Sequence, residues 1–327
     1  MGAFEWNIQQ VFRTREHHDT FQEQGFVVVD LLNSDELERI RQIYQGYHPE
    51  PEPGFFTTTF NQDVGHRTAV HNDILSVVSR RIDELFAAYK VNFCSFITKA
   101  PGPKSELILH QDMSLVDESK YNGINIWCPL VDLTEENGAI QVLPRSHRLF
   151  PTYRGASLPD IYDGIEDEVK SLMTSLFLKA GQAVIFDQSI MHYSPPNMSE
   201  QVRPVINCFV THQEADIIIS WTHPDQMPGE VERFRQGPDF MMNFKNFGHD
   251  IFKRPDIGES LGRVPYDFPQ VTVAMLEAEY GPIPEEVKLK KANGASNGEE
   301  NTSETPSQNS QPGFFKRLLQ SLTGSRN

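Results

Sequence analysis

Apolar residues along this chain recur at helical spacing up to about residue 90 and fall into short strand-like runs after it. Residues 11–25 read as a helix, and Phe26-Val27-Val28-Val29 behind it as a short strand. Asn33 with Glu36 three positions on has the form of a capping box, in which side chain and backbone satisfy each other at a helix start. The helix that follows would carry Leu37, Ile40, Ile43, Tyr44 and Tyr47 on one face. Residues 48–70 read as a Pro-, Gly- and Thr-rich loop with Phe55, Phe56 and Phe60, long enough to be functional or mobile. A second amphipathic helix places Ile74, Val77, Val78, Ile82, Leu85, Phe86 and Tyr89 in register.

From Val91 the expected strands are 91–98, 105–109, 124–130, 138–143, 176–179, 183–187, 205–211 and 217–221. Turn residues separate them, as at Pro101-Gly102-Pro103, Glu136-Asn137-Gly138 and Ala180-Gly181. Many short strands with such punctuation predict a β-sandwich or barrel, the jelly roll included. One helical insertion is expected at about 158–173, with Ile161, Ile165, Val169 and Leu172, and a short helix at 271–280. Residues 222–270, rich in Phe, Met, Pro and Gly, read as irregular. No internal repeat is visible. Near Pro284 the composition shifts. Residues 285–313 read as a disordered linker, and 314–327 as a short amphipathic, slightly basic tail.

Composition narrows the function. The 327 residues carry a net charge of −16, which argues against a nucleic-acid partner, since phosphate binding needs a basic face. The three cysteines, Cys94, Cys128 and Cys208, lack CxxC spacing and are odd in number. A disulfide framework is not expected, and a reducing, cytoplasmic location fits. The opening residues show no charged segment followed by an apolar run, so no signal peptide is expected. No stretch approaches the ~18 consecutive apolar residues of a membrane span.

The chemistry centres on His110-Gln111-Asp112, behind the strand-like Glu106-Leu107-Ile108-Leu109. Residues i and i+2 of an extended segment point to one side, so His110 and Asp112 aim an imidazole and a carboxylate at a common point. Alone, the triplet reads equally as a polar turn at a strand end. A second His would complete a two-His, one-carboxylate face that leaves three positions of a metal open, which suits non-heme Fe(II) and oxygen chemistry. His192 stands where it is needed, after the strand Ala183–Asp187 and about 80 residues past Asp112. Arg203, eleven residues further on, opens another strand, and a buried Arg there could hold a carboxylate by two parallel hydrogen bonds.

On these residues the chain resembles the phytanoyl-CoA dioxygenase (PhyH) family of Fe(II)/2-oxoglutarate oxygenases. The likeness rests on His110-Gln111-Asp112, Trp127, Asn137-Gly138, Val142-Leu143-Pro144-Arg145-Ser146-His147, Gly181, His192-Tyr193-Ser194 and Arg203, with Phe21-Gln22-Glu23-Gln24-Gly25-Phe26 upstream. It covers most of residues 15–220. It implies a mainly β fold with flanking helices, a double-stranded β-helix of the jelly-roll, cupin-like kind. One oxygenase domain would run over 1–284, with N-terminal helices in 1–90, the jelly roll in 91–221, and a lid and C-terminal segment in 222–284. The resemblance also implies that His110, Asp112 and His192 bind Fe(II) and that Arg203 pairs with the distal carboxylate of 2-oxoglutarate. Ser194, Trp127 and Gln111 stand where family members contact that cosubstrate. Pro204-Val205 lack the hydroxyl that some related oxygenases carry two residues after the Arg, which Ser194 could supply.

The implied reaction consumes O2 and 2-oxoglutarate, with ascorbate as a stimulant, and hydroxylates a small molecule with release of succinate and CO2. Desaturation and ring closure use the same chemistry, whereas a carboxylate at 112 argues against halogenation. A non-catalytic jelly roll that binds metal or 2-oxoglutarate is the alternative from another class, and a cupin-like isomerase or lyase, which would not need Arg203, is a third. Residues 233–254 hold Arg233, Arg235, Lys245, Lys253 and Arg254 against Asp239 and Asp250, interleaved with Phe and Met. They read either as a lid gripping an anionic substrate or as a surface loop. Phe314–Leu322 is too short for a stable helix in water and is a candidate for weak contact with a partner or a membrane surface. His17, His18, His66, His71, His212, His223 and His249 lack the spacing of a second metal site, and His147 and Arg148 are expected to be structural.

Overall fold

The computed structural model describes residues 9–50, 52–149, 152–223, 225–243 and 252–288. The linker and tail expected after Pro284 lie outside the described residues beyond 288, as do Lys245, His249 and Asp250.

Helix α1 (Arg15–Gln24) stops at Gly25, whose φ of 82° is a left-handed cap that a side chain would strain. A Cβ at Gly25 would also strike the ring of the buried His147. Strand β1 (Phe26–Asp30) follows. Helix α2 (Ser34–Tyr47) carries the expected capping box between Asn33 and Glu36. Strand β2 (Phe55–Thr57) and the first turns of α3 (Val64–Leu85) occupy much of the stretch read as a loop. The start of α3 is set by Asp63, whose carboxylate accepts from the N–H groups of Gly65 and His66.

The remaining strands are β3 (Tyr89–Lys99), β4 (Leu107–His110), β5 (Gly123–Pro129) and β6 (Gln141–Val142). After the short helices α4 (Ser146–Leu149) and α5 (Glu166–Ser171) come β7 (Thr174–Ser175), β8 (Gln182–Asp187), β9 (His192–Ser194) and β10 (Arg203–His212). The chain continues through β11 (Ile217–Trp221), β12 (Glu230–Gln236), helix α6 (Phe240–Asn243), β13 (Glu259–Pro265) and α7 (Val273–Tyr280).

The strands pair antiparallel in a six-stranded sheet, β1-β8-β5-β10-β3-β2, and a four-stranded sheet, β4-β9-β6-β7. The two face each other as a double-stranded β-helix. Alternation along β10 explains the layers. Ile206, Cys208 and Val210 point outward into a core shared with Ile40 of α2 and Val70, Ile74, Val78 and Ile82 of α3. Arg203, Asn207 and Phe209, on the other side of the pleat, line the space between the sheets. With both faces covered, the central strands read as nearly continuous apolar runs. Trp127, Val184, Phe186 and Val205 of the large sheet meet Ile140 and Val142 in the inter-sheet core. Helix α7 covers the far side of the small sheet through Leu276, with Leu109, Leu143 and Met191.

Three expectations are corrected. Residues 222–270 contain β12 and β13, which with β11 form a third, three-stranded antiparallel sheet. The insertion at 158–173 is helical only at Glu166–Ser171, because Gly164, at φ 80°, turns the chain before it. The strand expected at 176–179 lies at Thr174–Ser175 instead. No described helix is long and apolar enough to cross a membrane.

Candidate active site

His110 ends β4 and His192 begins β9, and the two residues are register partners in the small sheet. Their rings lie 3.9 Å apart between centroids. The Nδ1–H of His110 donates to the carbonyl of Ile108 at 2.8 Å, and that of His192 to the carbonyl of Ile190 at 3.0 Å. Each imidazole is therefore held with its Nε2 lone pair outward. Those nitrogens lie 3.6 Å from Oδ1 and 3.9 Å from Oδ2 of Asp112. One ligand atom from each residue falls within 4.8 Å of the others, the one such cluster of His, Cys, Asp and Glu among the described residues. Lone pairs facing one another call for a cation between them, so the residues fit a divalent metal. Burial, then the neighbouring His192, pushes the His110 imidazolium well below its usual range, leaving a neutral ligand. Burial also pushes the Asp112 carboxyl up, against the pull of His192, Arg154 and Asn125.

Asp112 is braced from three sides. Asn125 of β5 donates to its Oδ2 at 2.5 Å. Its own N–H donates to the Gln188 carbonyl at 2.9 Å. Arg154 Nε donates to its carbonyl at 2.7 Å, and Arg154 is clamped through both terminal nitrogens by Glu118.

Arg203 is 1% exposed. Its Nη1 donates to the Gly138 carbonyl at 2.9 Å, its guanidinium lies 5.1 Å from the centre of the Trp127 ring, and its Nε has no partner. Gly138 must be glycine, since its φ is 74° and a Cβ would strike the Pro195 carbonyl. Among the described residues no carboxylate pairs with Arg203. Its strand partner is Lys99, equally buried, whose ammonium donates to the Ser194 carbonyl and hydroxyl at 2.6 Å each and to the Pro195 carbonyl at 2.5 Å. Burial draws the Arg203 guanidinium down to about 9. Burial, with the charge of Arg203 next, draws the Lys99 ammonium well down. Two adjacent buried cations with an unfilled donor fit a carboxylate entering from the cavity.

That cavity has a volume of about 650 Å³, and His110, Asp112, His192, Arg203, Ser194 and Trp127 all line it. Gln111 does not. Its side chain donates to the Ser189 carbonyl at 2.5 Å, and it is not part of the cavity wall. The Ser194 hydroxyl donates to Gly138 and accepts from Lys99. Lys99, Asn125 and Arg154 escaped the sequence reading. Lys99 had one available signal, a lysine ending a strand otherwise free of acids. His147 donates its Nε2–H to the Gln22 carbonyl, 3.2 Å away, and does not line the cavity.

The model of the phytanoyl-CoA dioxygenase (PhyH) family matches residues 21–205. A phytanoyl-CoA dioxygenase domain-containing protein 1 homolog of Dictyostelium discoideum is 33% identical over 116 residues, 33% of this chain and 41% of that protein. Peroxisomal phytanoyl-CoA dioxygenase of Mus musculus is 24% identical over 285 residues, 74% of this chain and 82% of that protein. The match spans less than half the length of the Dictyostelium protein and of a Danio rerio counterpart, 41% and 44%. Among solved structures, the non-heme alpha ketoglutarate dependent carbocyclase SnoK from nogalamycin biosynthesis aligns with a TM-score of 0.44 and 17% identity, over 62% of this chain and 86% of that one. EvdO2 from Micromonospora carbonacea var. aurantiaca, complexed with 2-oxoglutarate, aligns with a TM-score of 0.41 and 17% identity, over 62% and 94%.

Proposed function

This chain belongs to the phytanoyl-CoA dioxygenase (PhyH) family, and from that premise we propose that it is an Fe(II)- and 2-oxoglutarate-dependent dioxygenase that hydroxylates an unactivated C–H of a small molecule. The observation that carries the reading is one cavity lined both by three converging metal donors and by an Arg203 without a carboxylate. When bound, iron(II) and 2-oxoglutarate supply the coupled oxidation: substrate C–H, 2-oxoglutarate and O2 become substrate C–OH, succinate and CO2.

The chain's own residues do the positioning. His110, Asp112 and His192 would hold the metal, with the carbonyls of Ile108 and Ile190 fixing both rings. Asn125, by donating to Oδ2, would hold the Asp112 carboxylate in place for the ion. Arg203 would take the distal carboxylate of 2-oxoglutarate, braced by the Gly138 carbonyl and the face of Trp127, with Lys99 adding charge behind it. The apolar walls exclude water from the reacting C–H. The catalytic unit would extend to about residue 284, and the three buried free thiols accord with a reducing, cytoplasmic setting.

The test is metal and cosubstrate stoichiometry followed by turnover. Wild-type protein should take up one Fe(II) and one 2-oxoglutarate and release succinate faster when substrate is present. His192→Ala should lose iron and turnover together. Arg203→Ala should keep iron and weaken 2-oxoglutarate by about 10- to 150-fold, the worth of a charge-assisted hydrogen bond. Iron retained by His192→Ala would sink the metal assignment. Unchanged 2-oxoglutarate affinity in Arg203→Ala would sink the cosubstrate assignment. Product mass then separates hydroxylation from desaturation or ring closure.

A further inference from the structure

At about 650 Å³ the cavity has room for a second organic molecule beside a five-carbon diacid. Its wall on the large sheet is laid down in rows, because inward residues of β10 and β3 stand in register. Arg203 meets Lys99, Val205 meets Ile97, Asn207 meets Ser95 and Phe209 meets Phe93. The first row holds the two buried cations. The last is aromatic, and Phe60 and Phe240 add to it on the cavity wall. Between them Asn207 and Ser95 interrupt the apolar face with an amide and a hydroxyl, and both line the cavity. Thr57 and Thr59, hydrogen-bonded to each other at 3.1 Å, line it too.

Alternation turns Asn207 and Ser95 inward while Ile206, Cys208, Cys94 and Phe96 fill the outer core. Ser95 is 2% exposed, yet among the described residues neither its hydroxyl nor the Asn207 amide has a hydrogen-bond partner. Both groups open onto the cavity rather than into protein. Polar groups without partners at a buried wall are costly, so a ligand that pairs with them gains affinity and an analogue that cannot is rejected. Asn125 is the contrast. It stands diagonal to Asn207 across the pairing of β5 with β10, and its amide is already committed to Asp112. Diagonal neighbours in a sheet lie ~7–8 Å apart, so a group held at Asn207 is close to the metal donors. The polar row brings no charge of its own, and Arg254 at the mouth is held by both carboxylate oxygens of Glu232, at 2.8 and 2.6 Å. An ionised group lodged at Asn207 would lose its water without gaining a counter-ion.

We propose that Asn207 and Ser95 determine substrate specificity: they receive a neutral polar group, a carboxamide or a hydroxyl, of a substrate whose apolar part packs on the aromatic row beside them, and so set which C–H faces the metal donors. This rests on the dioxygenase reading for the word substrate, but the class of group received follows from the wall itself.

The test uses the full chain, loaded anaerobically with Fe(II) and 2-oxoglutarate, and four probes on one skeleton: cinnamamide, cinnamyl alcohol, cinnamate and β-methylstyrene. Ligand-observed NMR titration gives each affinity. The amide and the alcohol should bind about tenfold more tightly than the carboxylate or the hydrocarbon, the worth of one or two neutral hydrogen bonds. Asn207→Leu should erase that preference while leaving β-methylstyrene affinity and the uptake of iron and 2-oxoglutarate unchanged, which certifies the fold. Ser95→Ala, a smaller change, should weaken the amide and the alcohol about threefold. Equal or tighter binding of cinnamate or β-methylstyrene overturns the proposal, as does a preference that survives both substitutions. So does a loss in Asn207→Leu confined to 2-oxoglutarate, which would make Asn207 a cosubstrate contact only. Absence of binding by all four probes in protein that holds one iron and one 2-oxoglutarate overturns it too. An amide and alcohol preference that depends on Asn207, in protein that takes up neither iron nor 2-oxoglutarate, supports this class of ligand while refuting the dioxygenase reading.

Discussion

Asn125 shows how much of this site depends on residues that are not themselves ligands. Its amide donates to Oδ2 of Asp112 and fixes the orientation of that carboxylate beside the two imidazoles. Removing such a partner costs metal affinity by about 10- to 100-fold without removing a ligand. Asn125→Leu should therefore fold, keep all three donors and lose Fe(II) to a chelator at 10- to 100-fold lower chelator concentration than wild type. Unchanged competition would mean that Arg154 and the Gln188 carbonyl suffice to hold the carboxylate. Asn125 was invisible in the sequence for a physical reason. Asp112 follows His110 by two positions, and that period is written in the chain. Asn125 reaches Asp112 only because β5 pairs with β8 and β10, which no local pattern encodes. The same holds for Lys99, a neighbour of Arg203 through the pairing of β3 with β10. Gln111 shows the other half of that period, its amide donating to the Ser189 carbonyl. It lies between two converging residues, and the alternation that joins its neighbours turns it away.

At the scale of elements, the helices and central strands were legible because their burial follows a period. The two helices on the large sheet match their apolar faces, except that α3 ends at Leu85, before Phe86 and Tyr89, and Tyr89 opens β3; the Asn33–Glu36 box marks one start. Strands β12 and β13 were not legible, because charge interrupts their alternation. Glu232, Arg233 and Arg235 sit within β12, and β13 is exposed at nearly every position. Ion pairs link its strands, Arg235 with Glu259 and Arg263 with Glu230, while Arg254 and Ser260 donate to the buried carboxylate of Glu232. The Arg254 hydrogen bonds draw the Glu232 carboxyl below its ordinary 4.5. A depressed acid stabilises the folded state above 4.5, and that contribution is lost as pH falls through the folded value. Urea midpoints of wild type and Glu232→Gln should therefore differ most near pH 7, with wild type the more stable, and converge as pH falls through the lowered value. A gap that stays constant with pH would assign Glu232 a packing role instead.

For the whole molecule, the sign of the surface opposes the sign of the site. The chain carries −16 in total, and residues 285–327, with six Lys/Arg and five Asp/Glu, contribute +1, so the remainder carries −17. A dianionic cosubstrate must cross this field to reach the cavity, and Arg203 and Lys99 lie buried and exert little pull beyond it. Repulsion of this kind reaches ~30 Å at 10 mM salt but only ~8 Å at 150 mM. Screening should therefore speed encounter, and the KM for 2-oxoglutarate should fall a few-fold between those ionic strengths. The KM of an uncharged substrate would stay flat over the same range, and that of an anionic one would fall with it. The pair of slopes is more informative than either alone. If both fell with salt, the substrate would be an anion after all. If the 2-oxoglutarate KM rose instead, local positive potential at the cavity would outweigh the charge of the body.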